Sequence, residues 1–515
     1  MRKTLLALFL FFIGYAQNYA QKTIYSYTLD TNNVRAYISS DGVLFNDPRG
    51  QGSGGFEAPK LPKGSPNAVS SIYSSTLWLG AIDEGNNYHV AAQTYRQFPE
   101  SDFRTGPIDP VTGIALPDSL FNNMWRMTSD DYVSAQNGVF TPNLTKWPTH
   151  FTTSTGKHNL APFSDLNGDG IMDVINGETP SFPGDEAFFF VYNDDKLHYE
   201  SQGAALKMEI KGFVYQFVSN QNEFLNNTVF VDYYLTNRST NTYKKLNVGV
   251  WTDFDLGNPA DDRIGSDPLR NMYYAYNGTG TDAQYGASPP AMGVIFFNQP
   301  LQGAVAYSND FSPMGNPSSA QNHYNLLEGL WKDGTSITDM GSGYQSGGQA
   351  TNFMFTGDPC NNSGWTEAQG GVPAGDRRML GSVGFTDVKP NEVQKVTVAY
   401  LWSRSDASGS IPSLCKLLSQ TDSLRDWMNK RSPLGIKKPK STDNVNVYPN
   451  PATNQIFVDA PALGDDILLE LYDISGKKVL TNTGKSLAVE GLAKGFYILK
   501  GSAGGYTFNR KVQIQ

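Results

Sequence analysis

The chain has 515 residues, of which 39% are hydrophobic, 12% aromatic and only 17% charged, with 51 glycines and 29 prolines. Enough apolar side chain is present to fill a core, which excludes wholesale disorder, and the mix favours many short strands and tight turns over helical bundles. With 40 basic against 49 acidic residues the formal charge is −9, which opposes general nucleic-acid binding and is compatible with bound cations.

The N-terminus opens on the basic Met1-Arg2-Lys3, followed by an apolar run from Leu5 to Ile13. That run is too short to span a bilayer, and Gly14-Tyr15-Ala16 and Asn18-Tyr19-Ala20 each place small or short side chains at a cleavage site. Residues 1–20 are therefore expected to be a removable signal peptide. With no cysteine at either cut, a lipid anchor is not expected, and no other stretch reads as a transmembrane segment.

Residues 21–205 read as a loop-rich β region. The segment Ser71–Gly80 and the segment His89–Tyr95, separated by the polar Asp83–Asn87, predict a hairpin. Pro107–Pro117 is dense in turn residues, and Asp118–Trp125 reads as a short helix. From 206 to 431 the strand signal strengthens. Lys207–Val218, Thr228–Thr236, Lys245–Trp251, Val294–Phe297 and Val393–Tyr400 predict strands of one β-sandwich domain. Residues 411–430 predict one long amphipathic helix that closes this domain, with Leu414, Leu417, Leu418, Leu424, Trp427 and Met428 on a common face. The two cysteines, Cys360 and Cys415, leave two readings open: a disulfide formed in an oxidising compartment, or two buried thiols.

Two acidic motifs point to chemistry. In Asp165-Leu166-Asn167-Gly168-Asp169-Gly170-Ile171-Met172-Asp173, oxygen side chains fall at positions 1, 3, 5 and 9 of a tight loop. A hard cation such as calcium takes six to eight oxygens, Gly170 permits the sharp bend, and the Ile171 carbonyl supplies position 7. Asp165, Asn167, Asp169, Ile171 and Asp173 are thus the candidate ligands of a structural calcium ion. The loop resembles those of dockerin or thrombospondin-type repeats and departs from an EF-hand at position 12, where Asn176 stands and Glu178 follows. The alternative is a metal-free loop held by Asx turns.

The second motif is Asp253, Asp255, Asp261, Asp262 and Asp267 in TDFDLGNPADDRIGSD. It reads first as a solvated turn-forming loop partnered by Arg263 and Arg270, then as a cation site, and last as a carboxylate pair for glycoside hydrolysis. No G-x-S-x-G elbow, H-E-x-x-H helix, P-loop or dinucleotide fingerprint occurs, and the five histidines are scattered. Trp125, Trp147, Trp331 and Trp365 are the aromatics considered for sugar stacking, with packing as the expected role.

Residues 432–444, beginning SPLGIKKPKS, predict a linker. Beyond it, about seven short strands over 445–515 predict a small β-sandwich. The blocks VYPNPATNQIFV (447–458), LLELYDISGKKV (468–479), LAVEGLAKGFYILK (487–500) and KVQIQ (511–515) follow in order. Together they resemble the type A C-terminal sorting domain of the type IX secretion system of Bacteroidetes. The resemblance implies Sec export, then passage through the outer-membrane translocon by way of residues 445–515. It also implies removal of the tail, and release or attachment at the cell surface.

The cargo resembles a group of secreted Bacteroidetes proteins of no assigned activity. The segments that carry this likeness are SSTLWLGA, VAAQTYR, DLNGDGIMD, VGVWTDFDLGNPADD and PAGDRRMLGSVGF. It implies a shared architecture of mainly β, Ig-like sandwich units and transfers no activity. The expectation is a secreted or surface protein, non-enzymatic, calcium-stabilised, and structural or adhesive. The alternative is a carbohydrate-binding protein or glycoside hydrolase, with a glycan or surface ligand as partner.

Overall fold

The structure is a computed structural model that describes residues 25–46, 54–95, 101–431, 445–460, 467–473, 477–503 and 506–515. The expected signal peptide at 1–20 and linker at 432–444 lie outside the described residues. The chain is mainly β and divides into two compact units, Met1–Lys430 and Arg431–Gln515.

The first unit is built on two antiparallel sheets. One has nine strands. Its spatial order is Asp262–Asp267, Met272–Asn277, Ala291–Phe296, Val393–Ser403, Thr228–Asn237, Met208–Gln216, Glu186–Asn193 and Arg104–Thr105, with Trp125–Thr128 also paired to Glu186–Asn193. The other has five, in the order Gly303–Ser308, Arg377–Val388, Tyr243–Phe254, Ile72–Asp83 and Tyr88–Ala91. The predicted hairpin is present, with Leu79 opposite Ala91 and Ile82 opposite Tyr88.

The two sheets share one core. The Ser75 and Tyr400 hydroxyls meet across it at 2.8 Å, and those of Thr252 and Tyr273 at 2.9 Å. Gly381 is needed here, because a Cβ at this position would come within 2.5 Å of the Tyr273 ring.

The outer face of each sheet is covered as well. Helix Ala320–Leu327 lies on the five-stranded sheet where Gly80 and Gly249 make room, since a Cβ at either would meet Leu327 at 2.8 or 2.5 Å. Helix Ile411–Lys430 lies on the nine-stranded sheet. It buries Leu414, Leu417 and Leu424 and sets Trp427 against Phe217 and Phe230 at 5.1 and 6.4 Å between ring centroids. Cys360 and Cys415 form a disulfide with a Cα separation of 5.8 Å, which ties the loop before Arg377–Val388 to this helix.

Two details differ from the sequence reading. The boundary drawn between 21–205 and 206–431 falls inside the first unit. Ile72–Asp83 pairs along its length with Tyr243–Phe254, and Glu186–Asn193 with Met208–Gln216, so neither half holds either main sheet complete. The expected helix over Asp118–Trp125 is a single turn, Asp118–Phe121, and Trp125 starts a strand recruited by the edge of the nine-stranded sheet.

Among the described residues the second unit has seven strands in two sheets. The order is Asn446–Tyr448, Gln455–Asp459 and Ser486–Ala488 in one, and Lys478–Thr483, Leu468–Tyr472, Gly495–Ala503 and Tyr506–Ile514 in the other. Ile456 and Val458 from the first share a core with Leu469, Leu471, Leu499 and Val512 from the second. Among the described residues no helix is long and apolar enough to cross a membrane.

Candidate functional site

In the strand Tyr243–Phe254 alternate side chains point to opposite faces. Thr252 and Phe254 point to the inter-sheet core. Trp251 and Asp253 take the outer face, where Trp251 stacks on Trp78 at 6.2 Å and donates to the Tyr307 hydroxyl at 2.6 Å.

Antiparallel register sets Arg378 directly opposite Asp253, and Tyr307 directly opposite Arg378. The Arg378 guanidinium reaches Asp253 Oδ2 at 3.2 Å and Asp376 Oδ1 at 2.9 Å. Tyr95, leaning edge-on against Trp251, donates to the same Asp253 Oδ2 at 2.6 Å and accepts from Arg378 at 2.9 Å. Asp255 follows one residue past the strand.

Asp253, Asp255 and Asp376 each place a carboxylate oxygen within 4.8 Å of the others. Asp253 is only 2% exposed, and its Oδ1 is buried with no hydrogen-bond donor. Burial drives the Asp253 carboxyl up to about 7 despite the Arg378 charge that opposes the rise. Burial also pushes Asp255 up to about 8, reinforced by the charges of Asp253 and Asp376.

The other members of the second motif go elsewhere. Asp262 is fully buried, with Oδ2 accepting from the Leu256 amide at 3.0 Å and Oδ1 lacking a donor. Arg270 pairs with Asp267 at 2.6 Å and with Asp422 at 2.8 Å, and Arg263 donates to the Val372 carbonyl. Neither arginine serves Asp253, and the motif is not a solvated loop throughout. Sequence reasoning missed Tyr95, Asp376 and Arg378, which lie 158, 123 and 125 positions from Asp253. Their signal was present in the VAAQTYR and PAGDRRMLGSVGF segments, but only strand register converts it into proximity.

An acid or nucleophile must reach its substrate, and Asp253 is walled in by Tyr95 and Arg378. The three carboxylates stand closer than the roughly 6.5–9.5 Å of an inverting glycosidase pair and near the roughly 5–5.5 Å of a retaining one, so it is burial rather than spacing that sets Asp253 apart from such a pair.

The loop over 165–173 lies on the surface, with Asp165, Asn167, Asp169 and Ile171 exposed and Asp173 half-buried. Gly168 and Gly170 take φ of +78° and +72°, the left-handed conformations that turn the chain. Asp165 accepts from the Gly168 and Gly170 amides, Asn167 from Asp169, and Asp169 from Ile171. Asp173 caps the following turn through Ile175 and Asn176. Glu178, 1% exposed, accepts from the Leu166 amide at 2.9 Å and the Asp173 amide at 2.7 Å, so one buried carboxylate pins both ends of the loop. The aspartates of this loop do not converge as Asp253, Asp255 and Asp376 do.

Of the tryptophans considered for sugar binding, Trp147 and Trp331 are buried, while Trp125 and Trp365 are half-buried against Phe189 and Phe355.

A protein of two β units, the second a small module with seven strands among its described residues, is the class these features define. Residues 446–515 match the family model described as the secretion system C-terminal sorting domain. This unit is the type IX sorting domain, and the chain is a Bacteroidetes protein delivered to the cell surface or the extracellular space.

Among solved structures the chain is similar to a polysaccharide lyase, at 8% identity and a TM-score of 0.20 over 70% of this chain and 37% of the lyase. It is also similar to HBP35 of Porphyromonas gingivalis, at 14% identity and a TM-score of 0.11 over 50% of this chain and 64% of that one. The chain thus spans little more than a third of the lyase and under two thirds of HBP35, and neither likeness bears on its activity. No curated protein matches the chain.

Proposed function

We propose that the exported cargo is a non-enzymatic structural or adhesion protein of the cell exterior, stiffened by calcium at the loop of Asp165, Asn167, Asp169, Ile171 and Asp173. The observation that carries this reading is the loop itself. It offers side-chain oxygens at alternate positions, with glycines in left-handed conformations at the two sharp bends and its ends hung on buried Glu178. A short oxygen-rich loop of this kind suits the weak calcium affinities, with Kd of about 10⁻⁴–10⁻³ M, of extracellular modules. Within a body already packed on both sides of each sheet, the ion would rigidify a surface excursion rather than fold a domain.

Calorimetric titration of the chelator-stripped full chain with calcium tests the metal. A component of the heat that is lost in Asp169→Ala is expected, and a heat unaffected by that substitution removes this loop from the account. For the non-enzymatic part, the purified protein is expected to leave a panel of glycans and peptides intact. Turnover abolished by replacing one carboxylate refutes it.

A further inference from the structure

We propose that Asp253, Asp255 and Asp376 form a second cation site, independent of the 165–173 loop, that takes a hard divalent ion with calcium preferred. Three carboxylate oxygens come within 4.8 Å of one another, from Asp253 in the strand Tyr243–Phe254, Asp255 just after it and Asp376 just before the adjacent strand Arg377–Val388. The sharper observation is Asp253 itself. It is 2% exposed, and its Oδ2 is committed to Tyr95 and Arg378 while its Oδ1 is buried without a donor. A buried carboxylate oxygen left in that state is costly unless a donor or a cation faces it.

Three carboxylates face one guanidinium, Arg378, and ionised together around a cation they leave a surplus of two negative charges, which one divalent ion balances. Arg378 does not occupy the site. It grips Asp253 Oδ2 and Asp376 Oδ1 from one side and so orients both carboxylates, leaving the second oxygen of each, together with Asp255, for the ion. Purely oxygen donors select calcium, magnesium or manganese over zinc or copper. The Asp376 side chain, 41% exposed, supplies the route from solvent and a ligand that can exchange water for metal.

Terbium luminescence on the chelator-stripped full chain tests the site, because Tyr95 and Trp251 are the antennae. Their rings are 5.5 Å apart, and the Tyr95 hydroxyl lies 2.6 Å from Asp253. Expected is sensitised terbium emission that calcium displaces. The terbium affinity should fall at least about tenfold in Asp255→Asn and in the more exposed Asp376→Asn, and remain in Asp169→Ala. Circular dichroism confirms that each variant is folded, and Asp376→Asn carries the test should Asp255→Asn unfold. A terbium affinity unchanged in folded Asp376→Asn, or emission absent from the parent, overturns the site. Calcium heat lost entirely in Asp169→Ala also overturns it while leaving the loop standing. Heat that persists in Asp169→Ala and vanishes in Asp376→Asn supports this site alone.

Discussion

The two units solve the burial of a β-sheet differently. In the sorting domain burial alternates along a strand: Ile456 and Val458 are inside, while Gln455, Phe457 and Asp459 are exposed. In the cargo all eight residues of Glu186–Asn193 are buried. The sorting domain packs two small sheets on one core and leaves their outer faces to water. The cargo lays a helix on part of the outer face of each sheet, and Trp125 and Trp147 pack on Phe189, so Glu186–Asn193 has no solvent side. A period of two along a strand therefore reports how many faces are wet rather than whether a strand is present. It also means that polar groups such as Asp253 and Glu209, on what would ordinarily be a wet face, become buried and must find partners.

The largest expected effect separates the two units outright. Deleting 446–515 should abolish appearance of the cargo outside the cell, while the melting temperature of the purified cargo stays as in the parent. Export of the truncated protein at the parental level would break the assignment of the tail. Next, Leu469→Ala and Leu417→Ala each remove a fully buried leucine at a cost of about 2–5 kcal/mol. The small sorting domain has little reserve, so Leu469→Ala should impair export. Leu417→Ala should lower only the cargo transition in a thermal scan. Equal export defects in the two variants would show that the units are not energetically separate.

The disulfide sharpens the same contrast. Its loop spans 55 positions, and its loss should cost the cargo about 4 kcal/mol on the chain-entropy model. Cys360→Ser/Cys415→Ser, or reductant added to the parent, should lower the cargo transition and leave that of the sorting domain in place.

The smallest effect concerns pH. Buried Glu209 loses hydration, but Lys211 and Arg238 beside it, with the Ile108 amide, hold its carboxyl below the ordinary 4.5. A depressed folded value means that Glu209 contributes stability above 4.5 and loses it as the pH falls through the folded value. Acid titration of stability should therefore show the parent and Glu209→Gln converging below that range. In the sorting domain, Glu470→Gln removes a surface pair with Lys478 and should leave the profile unchanged.

Legibility in the sequence followed the same division. The sorting domain could be read in full, because alternation and turn residues are local signals and its four blocks keep their order. In the cargo, the amphipathic helix at 411–430 and the strongest strands were legible for the same reason. The acidic cluster was half legible. Asp253 and Asp255 stood out as a motif, yet their neighbours Arg263 and Arg270 looked like the partners, since sequence distance is the only distance available there. Register across Tyr243–Phe254 and Arg377–Val388 chose Arg378 instead and brought in Asp376.

The sequence by itself determined that the protein is exported, β-rich and furnished with an oxygen-lined loop at 165–173, because each of these is written in contiguous residues. Only the tertiary structure decided that 72–91 and 186–193 belong to the same body as 206–403. The same holds for the bonding of Cys360 to Cys415 and the meeting of three aspartates and an arginine. Long-range strand pairing sets those neighbours, and it is fixed by how two sheets and two helices share their faces, a property no single segment carries.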